Sequence, residues 1–185
     1  MRNRIFALSC LALALIPAIA PAQNSRFAGP EIGVFLPTDA DLRKALGSQW
    51  YSIGVSTMKQ GSVVQRNVGT NLNFISQSKN GNKVFLASYT IGLVMPLGGN
   101  DIGNLNTDFQ PYVAVRAGLN YTDYAITSGS QRLGGKRIGY NANAELGFQI
   151  GDRFTLSARY DFSPDYAGFN FDGISLALKY GIVKF

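Results

Sequence analysis

Six ionisable residues, Glu31, Arg116, Glu145, Arg159, Asp161 and Lys179, share one property: each lies on the polar parity of a stretch that alternates apolar and polar side chains. The set is balanced, with three acids and three bases. Enclosed together, such charges make a network of ion pairs and hydrogen bonds, because an unpaired charge in the same space would be costly. The same network admits a second chemistry, in which exchange of partners opens a gated pore or a proton path. Histidine-dependent nucleophilic catalysis is not open to this chain. Its 185 residues include no histidine, which removes Ser-His and Cys-His pairs, His proton relays and His-rich metal sites. Asp161, Asp165 and Asp172 lack tight ligand spacing, so neither a metal nor a cofactor is expected, and no catalytic residue. Gly129 to Lys136 loosely resembles a phosphate-binding loop, but Arg137 stands where a Ser or Thr is needed.

The elements that must position these charges are clearest from Arg137 to Phe162. Ile138, Tyr140, Ala142, Ala144, Leu146, Phe148 and Ile150 form one parity, while Gly139, Asn141, Asn143, Glu145, Gly147 and Gln149 form the other. Successive strand side chains point to opposite faces, so this is a strand with one greasy and one polar side. After a turn at Gly151 and Asp152, the split repeats with Phe154, Leu156, Ala158, Tyr160 and Phe162 against Thr155, Ser157, Arg159 and Asp161. About nine to eleven tilted residues cross a bilayer, and these strands meet that length. The small polar residues suit a narrow lumen, and the aromatics near strand ends suit interfacial girdles. A soluble barrel that binds a ligand inside would carry the same alternation with the greasy face inward.

The start of the chain specifies export. Arg2 and Arg4 precede an apolar run from Ile5 to Ile16, and Ala20, Pro21 and Ala22 form a cleavage site, so residues 1–22 read as a secretory signal peptide. Cys10 falls inside that core behind a poor lipoprotein box. The remaining chain, 23–185, is one domain without cysteine, and 15 basic residues face 11 acidic ones there. The excess is mild and scattered, without the continuous basic stripe of a nucleic-acid binder. No other segment is long and apolar enough for a membrane helix.

Further strands are expected at Phe27–Leu36, Trp50–Met58, Val63–Ser78, Lys83–Met95, Phe109–Asp123 and Gly173–Phe185, with Asn80-Gly81 as a hairpin turn. Between the first two, Thr38 to Gly47 reads as a short helix. Thr38 or Asp39 would cap it and Gly47 would stop it, while Leu42, Ala45 and Leu46 would pack on the barrel rim or form a gating or partner-binding lid. Ala125 to Lys136 and Ser163 to Asp172 read as polar loops. The fold class is therefore all-β: an eight-stranded antiparallel up-and-down transmembrane β-barrel with a short helix in its first loop.

This chain resembles the small outer-membrane β-barrel family, the OmpA/OmpX-type eight-stranded barrels. The carriers are the signal peptide, the Pro111-Tyr112-Val113-Ala114-Val115-Arg116-Ala117-Gly118 strand, the repeated alternation and the terminal Phe185. The resemblance implies residence in the cell outer membrane, a monomer surrounded by its lipid, and recognition of Phe185 by the barrel-assembly machinery. Two functions stay open: a non-enzymatic structural or envelope-interaction barrel with a packed polar lumen, or a porin-like channel or transporter of small solutes. Arg132, Lys136 and Arg137, gathered at one strand entrance on the outer side, are either solvated loop charge or contacts to phosphates of outer-leaflet glycolipid.

Overall fold

A computed structural model describes residues 25–59, 68–97, 109–151 and 153–182. The expected signal peptide, residues 63–67 of the expected third strand, most of the Leu97–Asp108 connection and Phe185 lie outside them. The described chain runs β1 (Ser25–Pro37), α1 (Ala40–Leu46), β2 (Trp50–Lys59), β3 (Val68–Lys79), β4 (Asn82–Pro96), β5 (Phe109–Ser128), β6 (Gln131–Ile150), β7 (Phe154–Phe162) and β8 (Gly173–Tyr180). Every strand pairs antiparallel with its sequence neighbour, and β8 returns to β1 to close an eight-stranded barrel.

The register fixes the bore. Cross-strand partners followed around the wall from Asn120 pass through Ser88, Asn73, Gly54, Glu31, Lys179, Thr155 and Gln149, and return to β5 at Gln110, ten residues below the start. With a rise of about 3.3 Å per residue and strands about 4.8 Å apart, that stagger tilts the strands by roughly 40° and leaves a backbone radius of about 8 Å. Side chains from opposite walls meet in a bore of that size.

The parity read from the sequence holds along the wall. Ile53, Ile91, Val115, Leu119, Leu146, Leu156 and Leu176 are exposed on the outer surface, while Glu31, Asn71, Arg116, Asn143, Glu145, Arg159 and Lys179 are buried inside. Aromatic pairs flank this apolar belt, Phe109 with Phe148 and Phe154 with Tyr180 towards the Gly151 turn, Phe74 with Phe85 and Phe85 with Tyr121 towards the α1 end.

The expected loop from Ala125 to Lys136 is instead strand. β5 continues to Ser128 and β6 begins at Gln131, joined by a tight turn in which Gly129 takes the left-handed φ of 62°. Polar composition suggested a loop, but Tyr124 and Ile126 are buried against the helix and its surroundings, and that packing extends the ladder. The barrel is consequently uneven: β5 and β6 rise well past the ends of β7 and β8.

Candidate functional site

The six charged residues converge in the middle of the lumen as one chain of alternating sign. Asp161 Oδ2 meets Arg159 Nε at 3.0 Å, Arg159 Nη1 meets Glu31 Oε1 at 3.1 Å, and Glu31 Oε2 lies 3.8 Å from Lys179 Nζ. Lys179 then contacts Glu145 Oε1 at 2.5 Å, and Glu145 Oε2 accepts from Arg116 Nη1 at 3.0 Å. All six residues are buried. Local sequence explains the convergence, since strand alternation aims each of them inward from β1, β5, β6, β7 or β8.

Neutral residues complete the network. Tyr112 donates its hydroxyl to Glu145 Oε1 at 2.5 Å, Asn71 donates to Glu31 Oε2 at 2.8 Å, and Ser175 donates to Asp161 Oδ2 at 2.8 Å. Arg159 also donates to Asn71 Oδ1 at 3.1 Å, which spans the bore, because β7 and β3 stand on opposite walls. Arg116 ends the chain, with its Nε and Nη2 buried and without a hydrogen-bond partner among the described residues. Tyr112 lies over Gly147, where a Cβ would collide with its phenol ring. A glycine is therefore required at that place for the ring to reach Glu145.

Buried apolar groups lie towards both ends. Towards the Gly151 turn, Tyr112 packs with Val94 and Ala114. Towards the opposite mouth, Phe35, Leu42, Leu46, Trp50, Ile75, Val84, Leu86, Tyr124, Ile126, Phe169 and Phe171 form one buried cluster. Sequence reading put the helix stripe on the rim; it goes down into the mouth, and Leu42 and Leu46 are fully buried. This outer layer departs from an all-polar lumen. Its signal was present in the inward parity itself, since Phe35, Ile75, Val84, Leu86 and Ile126 interrupt the small polar residues at the strand ends nearest the helix.

The helix is held at both termini. Asp39 caps its start, accepting from the Asp41 and Leu42 amides at 2.7 and 2.9 Å through Oδ1, while Oδ2 accepts from the Asn170 amide at 2.9 Å. One carboxylate thus serves as N-cap and as a tie to the β7–β8 loop. The carbonyls at the other end, which a helix leaves unpaired, accept from Asn82 Nδ2 at Ala45, Gln77 Nε2 at Leu46 and Trp50 Nε1 at Gly47. In the β7–β8 loop, burial pushes the Tyr166 phenol above its ordinary range.

The basic group is placed differently from the network. Arg132, Lys136 and Arg137 are exposed on the β6 arm of the tall hairpin, with Arg132 and Lys136 on the parity of Ile138 and Tyr140 and Arg137 on the other. Lys136 stands across from Asp123 and Arg132 across from Thr127. No carboxylate among the described residues lies within ion-pair distance of these three cations. Among the described residues there is also no cluster of three His, Cys, Asp or Glu able to hold a metal.

Solved structures share this architecture. The attachment invasion locus protein Ail of Yersinia pestis superposes with a TM-score of 0.59 at 12% identity, covering 85% of this chain and 99% of that one. Its fold is that of the small outer-membrane β-barrels. The N-terminal β-barrel domain of Pseudomonas aeruginosa OprF matches at a TM-score of 0.52 and 15% identity, over 85% of this barrel and 98% of that domain. Ail in complex with the heparin analogue sucrose octasulfate matches the barrel at 0.50 and 13% identity, over 85% and 99% of the two chains. No protein-family model and no curated protein matches the sequence.

Proposed function

We propose that this chain is a non-enzymatic, monomeric barrel of the cell outer membrane that serves a structural or envelope-interaction role with a closed lumen. The observation that carries this reading is the buried alternating ion chain, with the apolar cluster at the α1 mouth above it, inside a wall whose outer face is an apolar belt. An aqueous exterior would not tolerate a belt of that extent, whereas a bilayer requires it. Residues 1–22 export the chain, residues 23–185 form the barrel, and Phe185 acts as the signal to the barrel-assembly machinery. Glu31, Arg116, Glu145, Arg159, Asp161 and Lys179 are the lumen network that fills the bore.

Membrane insertion is tested at Leu146, which projects outward near the middle of the belt. Leu146→Arg is expected to cost about 2–4 kcal/mol, as cations do at a bilayer midplane, and Ile138→Arg, above the belt, about 0–1 kcal/mol. Unfolding of both variants from lipid vesicles measures the difference. Equal costs, or a wild-type chain that stays monomeric and soluble without detergent, would overturn the membrane reading.

The envelope contact we propose is made by Arg132, Lys136 and Arg137, whose exposed charges have no carboxylate partner among the described residues. Binding of an anionic sulfated sugar by Ail, a barrel of the same fold, supports an anionic glycan or glycolipid headgroup as the ligand class. Neutralising all three residues is expected to weaken binding to vesicles containing anionic glycolipid, and the difference is expected to shrink as salt rises. Unchanged binding at low salt would leave them as solvated charge.

A further inference from the structure

The three cations of the lumen are served unequally. Arg159 contacts two carboxylates, Asp161 and Glu31, and Lys179 contacts two, Glu31 and Glu145, whereas among the described residues Arg116 contacts Glu145 alone. That contact uses Nη1. Nε and Nη2 form the other edge of the guanidinium, where two N–H bonds run parallel, and both are buried without a hydrogen-bond partner among the described residues. The wall beside this edge is bare. Arg116 stands across from Gly92 on β4, and Gly92 stands across from Gly69 on β3. A Cβ at Gly69 would come within 3.4 Å of Arg116 Nε, so the glycine keeps a methyl group off the N–H edge. On β2, Ser56 lies between Gly29 of β1 and Asn71 of β3, and its buried hydroxyl also has no partner among the described residues. Asn143 faces Arg116 from β6, but its Oδ1 accepts nothing from the edge.

We infer that Arg116 holds a small monovalent oxyanion inside the barrel, of the planar carboxylate or nitrate class, with one oxygen on Nε and another on Nη2. The fork geometry selects the shape, because two parallel N–H bonds match two coplanar oxygens. The surroundings select the charge. With an anion on this edge, Arg116 faces two anions as Arg159 and Lys179 do, and the alternation of sign runs on by one member. A dianion would sit too close to Glu145, whose Oε2 is 3.0 Å from Nη1 of the same guanidinium. A lone water molecule presents one oxygen to two donors, and it leaves the cation with half of its charge uncompensated in a buried place. Ser56 is the hydroxyl on the adjoining wall able to donate to the same ligand. Glu31 and Glu145 oppose passage of an anion through the rest of the bore, so the ion is held there and not conducted. This site is separate from the contact proposed for Arg132, Lys136 and Arg137.

The test uses the full chain, deuterated except at glycine and labelled with nitrogen-15 at arginine, refolded into nanodiscs of neutral deuterated lipid. The probe is sodium formate, exchanged for sodium chloride at constant ionic strength, because formate carries a C–H proton that reports its own position. The expected result is a saturable shift of one arginine Nε–H signal, together with magnetisation transfer from the formate proton to the Cα protons of Gly69. Arg116→Lys keeps the charge and removes the fork, and it is expected to abolish that signal and the transfer. Gly69→Ala is expected to weaken formate binding about tenfold or more, the loss of one good contact. R132Q/K136Q/R137Q is expected to bind formate as the wild type does, which separates the site from loop charge. The transfer to Gly69 is read in the wild-type barrel, so the test does not depend on the folding of a variant. Absence of a saturable shift, a shift that survives Arg116→Lys in a folded barrel, or an Nε–H in contact with water protons alone at every formate concentration would overturn the proposal.

Discussion

Glu145→Ala is expected to destabilise the barrel by about 3–5 kcal/mol, the cost of removing one member of a buried ion pair and leaving the other charge uncompensated. Glu145 is the sharpest place to remove charge because it serves two cations and a phenol at once: Lys179, Arg116 and Tyr112 all direct donors at its two oxygens. In its absence Lys179 retains Glu31 at 3.8 Å, and Arg116 retains no carboxylate. The exposed loop residue Asp165 supplies the comparison, since Asp165→Ala alters a solvated side chain and is expected to stay within about 0.5 kcal/mol of wild type. Urea unfolding of the refolded protein in lipid vesicles measures both. A Glu145→Ala barrel as stable as the Asp165→Ala one would show that the network does not hold the bore together.

The second large effect belongs to α1 in the barrel mouth. Leu42→Ala and Leu46→Ala each remove a fully buried side chain from the outer apolar cluster, and truncation of a buried leucine costs about 2–5 kcal/mol. The loss is expected to appear as detachment of α1 ahead of the barrel, because the helix is short and hydrogen bonds rather than a ladder connect it to the wall. Trp50 reports it directly. It is the chain's one tryptophan, fully buried, with its ring centroid 5.4 Å from that of Phe35 and its indole N–H on the Gly47 carbonyl at 2.8 Å. Leu42→Ala should shift Trp50 emission to the red and open it to acrylamide while the β-sheet circular dichroism of the barrel persists. Unchanged emission and quenching would place the seal elsewhere.

Strand existence and facing were legible because period-two alternation is a local signal. Leu146 outward and Glu145 inward follow from their neighbours alone. Convergence of the six charges was legible as parity, whereas the order of their contacts was not: it depends on the ten-residue stagger, which brings Arg159 of β7 to Asn71 of β3 and no single strand encodes. The hairpin at Gly129 was misread as a loop for a related reason. Ser, Gly, Gln and Arg there carry little strand propensity, and Tyr124 and Ile126 are held in strand by a helix more than seventy positions away in the chain. Asp39 was legible as a cap by residue type. Its second role, accepting from the Asn170 amide, arises from closure of the barrel and leaves no local trace.

The most direct test of a closed lumen is conductance of the refolded wild-type protein in planar bilayers. If the Asp161–Arg159–Glu31–Lys179–Glu145–Arg116 chain fills the bore, as proposed, the barrel should pass no sustained ion current. A reproducible open channel in the wild-type barrel would contradict that reading and assign this chain to transport.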